Sequence, residues 1–452
     1  MERASQTRRN PRRAFIAQTA RLAVGATALA ALGRGVESPL GPAVASAHNI
    51  SGNALRASEL YTAMQTNFYL GASQGYLYNE TSPRARSNPY AYLWPFYEAL
   101  AGTIDLSGVG TTQQVVQPVD VDNRLTGLGA YWNGDAGGYD SYPRSPYGAG
   151  GDRYNDDIAW IGRAMVQLHR MGYTSTASPS PLGTTPLERA KALFTFIKAS
   201  WDTTSSPSAG GVYWVQQPAG AAGGKDRGTG PTGGFAKLAL HLSDPKLTGQ
   251  QDPYFTWGKT AYKWVHDNLL TKQGQAAYVG KLYWDKILGS NGSLDTRYWS
   301  YNQGVMIGAG VLLARLAPTY EPGDPELRTY LNFSGKSVLE LAVDTADAAI
   351  AYYNSVGWYS QPVIFNSLFF RNLLLLCGAL SPGDSKISSY RGAAQTFADN
   401  VWNDSKIHNM QKHMIKFDPR TSVYKLREQA GMVQLFACLA WIDAGKDLSI
   451  LA

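Results

Sequence analysis

Apolar residues recur in this chain at intervals of three and four from about residue 48 onward, a spacing that places them on one face of a helix and that no strand reproduces. Leu187, Ala190, Phe194, Ile197 and Trp201 form one such stripe. Trp257, Ala261, Trp264 and Leu269 approximate a second, and Val338, Leu341, Thr345, Ala348 and Tyr352 trace a third. Further helices are expected to begin near Ala57, Tyr92, Asp157, Gly233, Gln303, Pro362, Ile387 and Glu428, about eleven in all. Some carry charge opposite the stripe, as in Glu188-Arg189-Ala190-Lys191, whereas Leu368 to Leu376 is apolar nearly all round, so outer and inner layers are predicted. Residues 48–452 divide into twelve helix-plus-loop units of about 34 residues, which fits an all-α fold, an (α/α)6 barrel formed as a toroid of six helical hairpins in one domain. No short period repeats clearly enough for tandem repeats. Two stretches interrupt the helical pattern and read as long loops: residues 106–153, and residues 209–234 with nine Gly in 26 positions.

The net charge of +7 invites a nucleic-acid or membrane reading, but most of it is local. Arg3, Arg8, Arg9, Arg12, Arg13, Arg21 and Arg34 stand in residues 1–47 against only Glu2 and Glu37, and the rest of the chain is close to neutral. Residues 1–47 read as a signal peptide: a basic start, an apolar stretch from Ala14 to about Leu32, and a small-residue ending at Ala45-Ser46-Ala47. Arg12-Arg13-Ala14-Phe15-Ile16 resembles the twin-arginine signature, so export from a bacterial cytoplasm is expected. Arg21 interrupts the apolar stretch, which argues against a membrane anchor. With 44% apolar and 17% charged residues the remainder is a globular chain. Cys377 and Cys438 lie in apolar runs and are expected as buried thiols, a late disulfide being left open.

The segment richest in chemistry is Arg153-Tyr154-Asn155-Asp156-Asp157-Ile158-Ala159-Trp160, where a long loop opens into an amphipathic helix. Consecutive Cα atoms lie about 3.8 Å apart, which is compatible with the roughly 5 to 5.5 Å between the two carboxyl groups of a retaining glycosidase. Acidic residues in a first turn also serve simply to complement the helix dipole. Tyr154 and Trp160 add ring faces suited to sugars. Tyr298-Trp299-Ser300-Tyr301-Asn302-Gln303-Gly304 is a second candidate, because Asn and Gln both donate and accept, as binding sugar hydroxyls requires. His48, His169, His241, His266, His408 and His413 lack zinc spacing, and no phosphate loop or Gly-x-Ser-x-Gly elbow is present, so neither a metal nor a cofactor is expected.

Four segments, in order, resemble glycoside hydrolase family 76, the endo-α-1,6-mannanases: Ala91-Tyr92-Leu93-Trp94-Pro95-Phe96, Tyr154-Asn155-Asp156-Asp157 with Trp160, Gly210-Gly211-Val212-Tyr213-Trp214, and Tyr301-Asn302-Gln303-Gly304. The resemblance implies an (α/α)6 barrel that cleaves α-1,6-linked mannan by a retaining double displacement. It assigns Asp156 as nucleophile and Asp157 as general acid/base, and places Tyr154, Asn155, Trp160, Trp214, Tyr301, Asn302 and Gln303 along the substrate. The expected partner is an α-mannan or related mannose-containing polysaccharide, bound by a monomer. The chain departs from the family pattern at Lys225-Asp226-Arg227-Gly228-Thr229-Gly230, where an Asn-rich stretch is expected, and at Arg371, where Lys is commoner. The rival readings are a non-catalytic glycan-binding barrel and an (α/α)6 hydrolase of a different glycan.

Overall fold

A computed structural model describes residues 51–86, 88–110, 115–204, 208–216, 223–249, 252–331 and 335–450. The expected leader, residues 1–47, lies outside the described residues. Twelve helices of twelve residues or more are present among the described residues: α1 (Ser51–Phe68), α2 (Leu93–Ser107), α3 (Pro118–Gly129), α4 (Asn155–Arg170), α5 (Pro186–Lys198), α6 (Thr229–Leu242), α7 (Asp252–Leu269), α8 (Ser300–Tyr320), α9 (Val338–Val356), α10 (Val363–Cys377), α11 (Ser385–Asn403) and α12 (Leu426–Asp443).

The even-numbered helices form a closed inner ring, each packed against the next and α12 returning to α2, and the odd-numbered helices lie outside. The fold is the all-α (α/α)6 barrel. Burial follows from this arrangement. Residues 155–168 of α4, all of α6 and all of α10 are buried on every side, whereas α5 buries only the stripe that holds Leu187, Ala190, Phe194 and Ile197. Trp201 falls beyond the end of α5 and pairs instead with Val212 in an isolated bridge. The count is twelve rather than eleven because α3 lies inside the stretch 106–153 read as loop. Its sequence, Pro-Val-Asp-Val-Asp-Asn-Arg-Leu-Thr-Gly-Leu-Gly, has a short apolar stripe and two glycines, a weak helical signal; Pro118 at its first position and Asp120, which accepts from Gln117 N at 2.8 Å, start it.

The Gly-rich run also ends earlier than its composition suggests. Gly230, Gly233 and Gly234 are helical residues of α6, and a Cβ on Gly233 would stand 3.0 Å from Val305 of α8 and one on Gly234 3.3 Å from Ala159 of α4. These glycines allow neighbouring inner helices to approach closely.

The two layers begin their helices differently. Outer helices carry side-chain caps, Thr185 to Glu188 N on α5 and Ser337 to Glu340 N on α9. None of the six inner helices has a side-chain cap. In four of them the first amide is taken by a carbonyl of a loop: Leu93 N by Ser141 O, Asn155 N by Trp214 O, Thr229 N by Asp285 O, and Leu426 N by Glu80 O, at 2.9 to 3.0 Å. The loops at this end are thereby fastened to the ring, and Thr81–Ser82 pairs with Tyr424–Lys425 to join the beginning of the fold to its end.

Candidate active site

The site is built where the inner helices begin. Gly210 and Gly211 adopt φ of 91° and 77°, and a Cβ on either would stand 2.8 and 2.7 Å from the indole of Trp264, so only glycine lets the chain turn there. The turn directs the following residues alongside the start of α4. Trp214 N donates to Asp226 O at 2.7 Å, Asn155 N donates to Trp214 O at 2.9 Å, and Asn155 Nδ2 donates to Tyr213 O at 2.8 Å. Asp156 then occupies the first turn of α4, 7% exposed, with Asp157 beside it at 2%. Asp156 Oδ1 accepts from the backbone N of Asp157 at 3.0 Å and Oδ2 accepts from Trp214 Nε1 at 3.3 Å, which fixes the rotation of the carboxylate.

Asp156 opens into a cavity of about 70 Å³. Its walls are aromatic: Trp94 from α2, Trp160 from α4, Tyr301 from α8, Phe365 from α10, and Trp214 from the loop. These rings support one another, Trp94 stacking on Phe365 with centroids 5.9 Å apart and Tyr301 lying 4.5 Å from Phe365. Asp226, Asp285 and Lys286 also line the cavity. They are held by a small sheet, β1 (Arg227–Gly228), β2 (Lys286–Ile287) and β3 (Leu294–Asp295), with Gly228 opposite Lys286 and Lys286 opposite Asp295. Lys286 Nζ donates to Asp226 Oδ2 at 2.8 Å and sits 5.0 Å over the Trp214 ring. Asp285 accepts from Asn302 Nδ2 at 3.0 Å; burial pushes its carboxyl up to about 6, the nearby Lys286 opposing and Asp295 reinforcing the shift. An aromatic cleft containing three carboxylates and one ammonium suits a polyhydroxylated ligand, with ring faces for its C–H surfaces and charged acceptors for its hydroxyls.

Of the residues singled out from sequence, Asp156, Trp160, Trp214 and Tyr301 meet on this cavity. Tyr154, Asn155, Asp157, Asn302 and Gln303 are not among its lining. Tyr154 packs on Trp214 with centroids 5.1 Å apart, and Asn302 carries Asp285. Gln303 Nε2 donates to Tyr283 O and its Oε1 accepts from Tyr283 N, both at 2.8 Å, so its amide is used up fastening the β2 loop to α8. Sequence reasoning missed Trp94 as a wall, Phe365, Lys286, Asp226 and Asp285. The signal available was Tyr283-Trp284-Asp285-Lys286, an aromatic pair followed by an acid and a base. Asp226 and Gly228 show that the departure at residues 225–230 lies on the cavity itself. Arg371 is not among the residues lining this cavity and is paired with Asp105.

Cys377 and Cys438 are buried free thiols, raised by burial to about 11 and about 12. Among the described residues no group of His, Cys, Asp and Glu is placed to hold a metal ion, and no helix is long and apolar enough to cross a membrane.

The sequence model for glycosyl hydrolase family 76 matches residues 53–444. No curated protein matches the chain. Among solved structures, the chain is similar to a family 76 glycoside hydrolase from a bovine Bacteroides thetaiotaomicron strain, at 20% identity and a TM-score of 0.65, covering 86% of this chain and 77% of that one. It is similar to a family 76 mannosidase from the same species at 18% identity and a TM-score of 0.67, covering 87% and 99%. A third is an inactive variant of an α-1,6-mannanase from a Salegentibacter species, substituted at two adjacent aspartates and bound to α-1,6-mannotriose, at 17% identity and a TM-score of 0.63, covering 86% and 99%.

Proposed function

The chain belongs to glycosyl hydrolase family 76, and on that footing we propose that it is an exported hydrolase of α-1,6-linked mannan that retains anomeric configuration. The observation that carries the reading is Asp156, oriented by two donors at the mouth of an aromatic cavity, with Asp157 next to it in the same first turn. In the proposed reaction an ionised Asp156 attacks the anomeric carbon of the scissile mannoside while Asp157 gives its proton to the departing glycosidic oxygen. Asp157 then takes a proton from water, whose oxygen displaces Asp156 from the glycosyl ester and restores both carboxyl groups. The order of the two roles follows the family. Trp94, Trp160, Tyr301 and Phe365 supply stacking surfaces, and Asp226 and Asp285 supply acceptors for hydroxyl groups. Family relatives acting on mannose-containing glycans support the substrate class, and the twin-arginine-like start of residues 1–47 supports export of one catalytic domain, residues 48–452.

The test incubates residues 48–452 with linear α-1,6-mannan and follows product size and first-formed anomer, beside Asp156→Asn and Asp157→Asn. Short α-configured products lost in both variants are expected. β-Configured products would refute retention, and turnover by both variants would refute the Asp pair.

A further inference from the structure

Below the aromatic floor of the cleft the barrel shaft is not apolar. Asp156, Trp160, Arg163 and Gln167 follow one another at intervals of four, three and four along α4, so they share the face turned to the barrel axis. Beneath Trp160 and Tyr301 lies a second, smaller cavity of about 10 Å³, room for one particle the size of a water molecule, lined also by Tyr97, Arg163, Arg371 and Asn372.

Its charges do not balance. Arg371 is matched by Asp105 and also donates to Gln167 Oε1 at 2.7 Å. Lys237, 1% exposed, donates to the neutral Asn372 Oδ1 at 2.8 Å. Arg163 is 5% exposed, lines the cavity, and makes no hydrogen bond or ion pair among the described residues; its Nε is buried without an acceptor. Of the two acids on the neighbouring helix α2, Asp105 is taken by Arg371 and the two oxygens of Glu98 are spent on Trp94 Nε1 and Gln434 Nε2, each at 2.7 Å. Burial moreover pushes the Glu98 carboxyl up to about 7, which weakens it further as a counter-charge. A guanidinium does not escape burial by losing its proton in ordinary conditions, and an uncompensated buried charge is among the costliest features a core holds. Water satisfies N–H groups but brings no charge.

We propose that this cavity binds a single small monovalent anion of the chloride class between Arg163 and Arg371, directly under the floor of the cleft. The anion completes the polar shaft, and its binding is independent of what the cleft hydrolyses.

Two measurements on the whole protein test it. In the first, chloride replaces gluconate at constant ionic strength while the thermal midpoint is followed. A saturable rise of roughly 2 °C or more is expected, and Arg163→Gln, which removes the charge the anion answers, loses that dependence. In the second, wild-type crystals soaked in bromide are expected to show an anomalous peak between the two guanidinium groups. This arm stands even if the variant does not fold. No peak at saturating bromide overturns the proposal, as does a thermal response to chloride that is linear and identical in wild type and variant.

Discussion

The indole N–H of Trp214 and the carboxylate of Asp156 meet at 3.3 Å, although 58 residues separate them in sequence. The contact exists because the loop that carries Trp214 is fastened to the start of α4 on one side, through Asn155, and to Asp226 on the other. The same loop is stacked on Tyr154 and capped by Lys286, so the donor reaches Asp156 from a surface fixed at several points.

Trp214→Phe keeps an aromatic ring beside Tyr154 and Lys286 and removes the N–H donor to Asp156. A hydrogen bond to a charged acceptor is worth about 1.5 to 3 kcal/mol, so kcat/KM on α-1,6-mannan is expected to fall roughly 10- to 100-fold with little change in thermal midpoint. A variant as fast as wild type would show that this donor does not serve the reaction.

The contact that holds Trp214 was only partly legible in the sequence. The helical period gave the layers, because a helix buried on all sides is apolar all round and one facing solvent is not; α10 and α5 could be told apart without coordinates. It failed at α3, where two glycines and a short stripe leave helix formation to tertiary packing, and at the start of α6, where glycines that look like loop residues are there for helix proximity. In the site, Asp156, Trp160, Trp214 and Tyr301 were found because their motifs are local. Asp285 was not, since its place depends on the pairing of β2 with β1 across about 60 residues, a register that periodicity does not encode. Polar type alone misled at Gln303, whose amide holds backbone rather than facing the cavity.

Asp285 gives a pH signature. Its carboxyl is raised from 3.8 to about 6 by burial, so the folded protein holds this proton more tightly than the unfolded chain. The associated stability is fully present below pH about 4 and is lost as pH rises through about 6, a swing of about 3 kcal/mol at most. Asp285→Asn abolishes the swing and leaves the bond to Asn302 available. The difference in thermal midpoint, variant minus wild type, is therefore expected to grow from pH 4 to pH 7. A flat difference across that range would contradict the assignment.

Gly211 tests the turn that delivers Trp214. Its φ of 77° and the 2.7 Å approach of a Cβ to the Trp264 ring both oppose a side chain. Gly211→Ala is expected to cost about 1 to 3 kcal/mol of stability and to reduce mannan hydrolysis at least as much as Trp214→Phe. Alanine tolerated at position 211 in both assays would mean that the loop turns without help from glycine.

The two layers respond oppositely to the same substitution. Gly308, on inner α8, faces α10 so closely that a Cβ would stand 2.1 Å from Asn372 Oδ1, the atom that accepts from Lys237. Gly308→Ala must displace that amide, strip Lys237 of its acceptor or push the helices apart, and a loss of about 2 kcal/mol or more is expected. Gly392, on the exposed face of outer α11, has nothing within 4 Å of where its Cβ would be. There Gly392→Ala only removes backbone freedom from the unfolded chain and improves helix propensity, so a gain of about 0.5 to 1 kcal/mol is expected. Denaturant titrations of the two variants read both signs at once. Equal losses would mean that the distinction between a ring of touching helices and a solvent-facing shell does not govern where this fold accepts a methyl group.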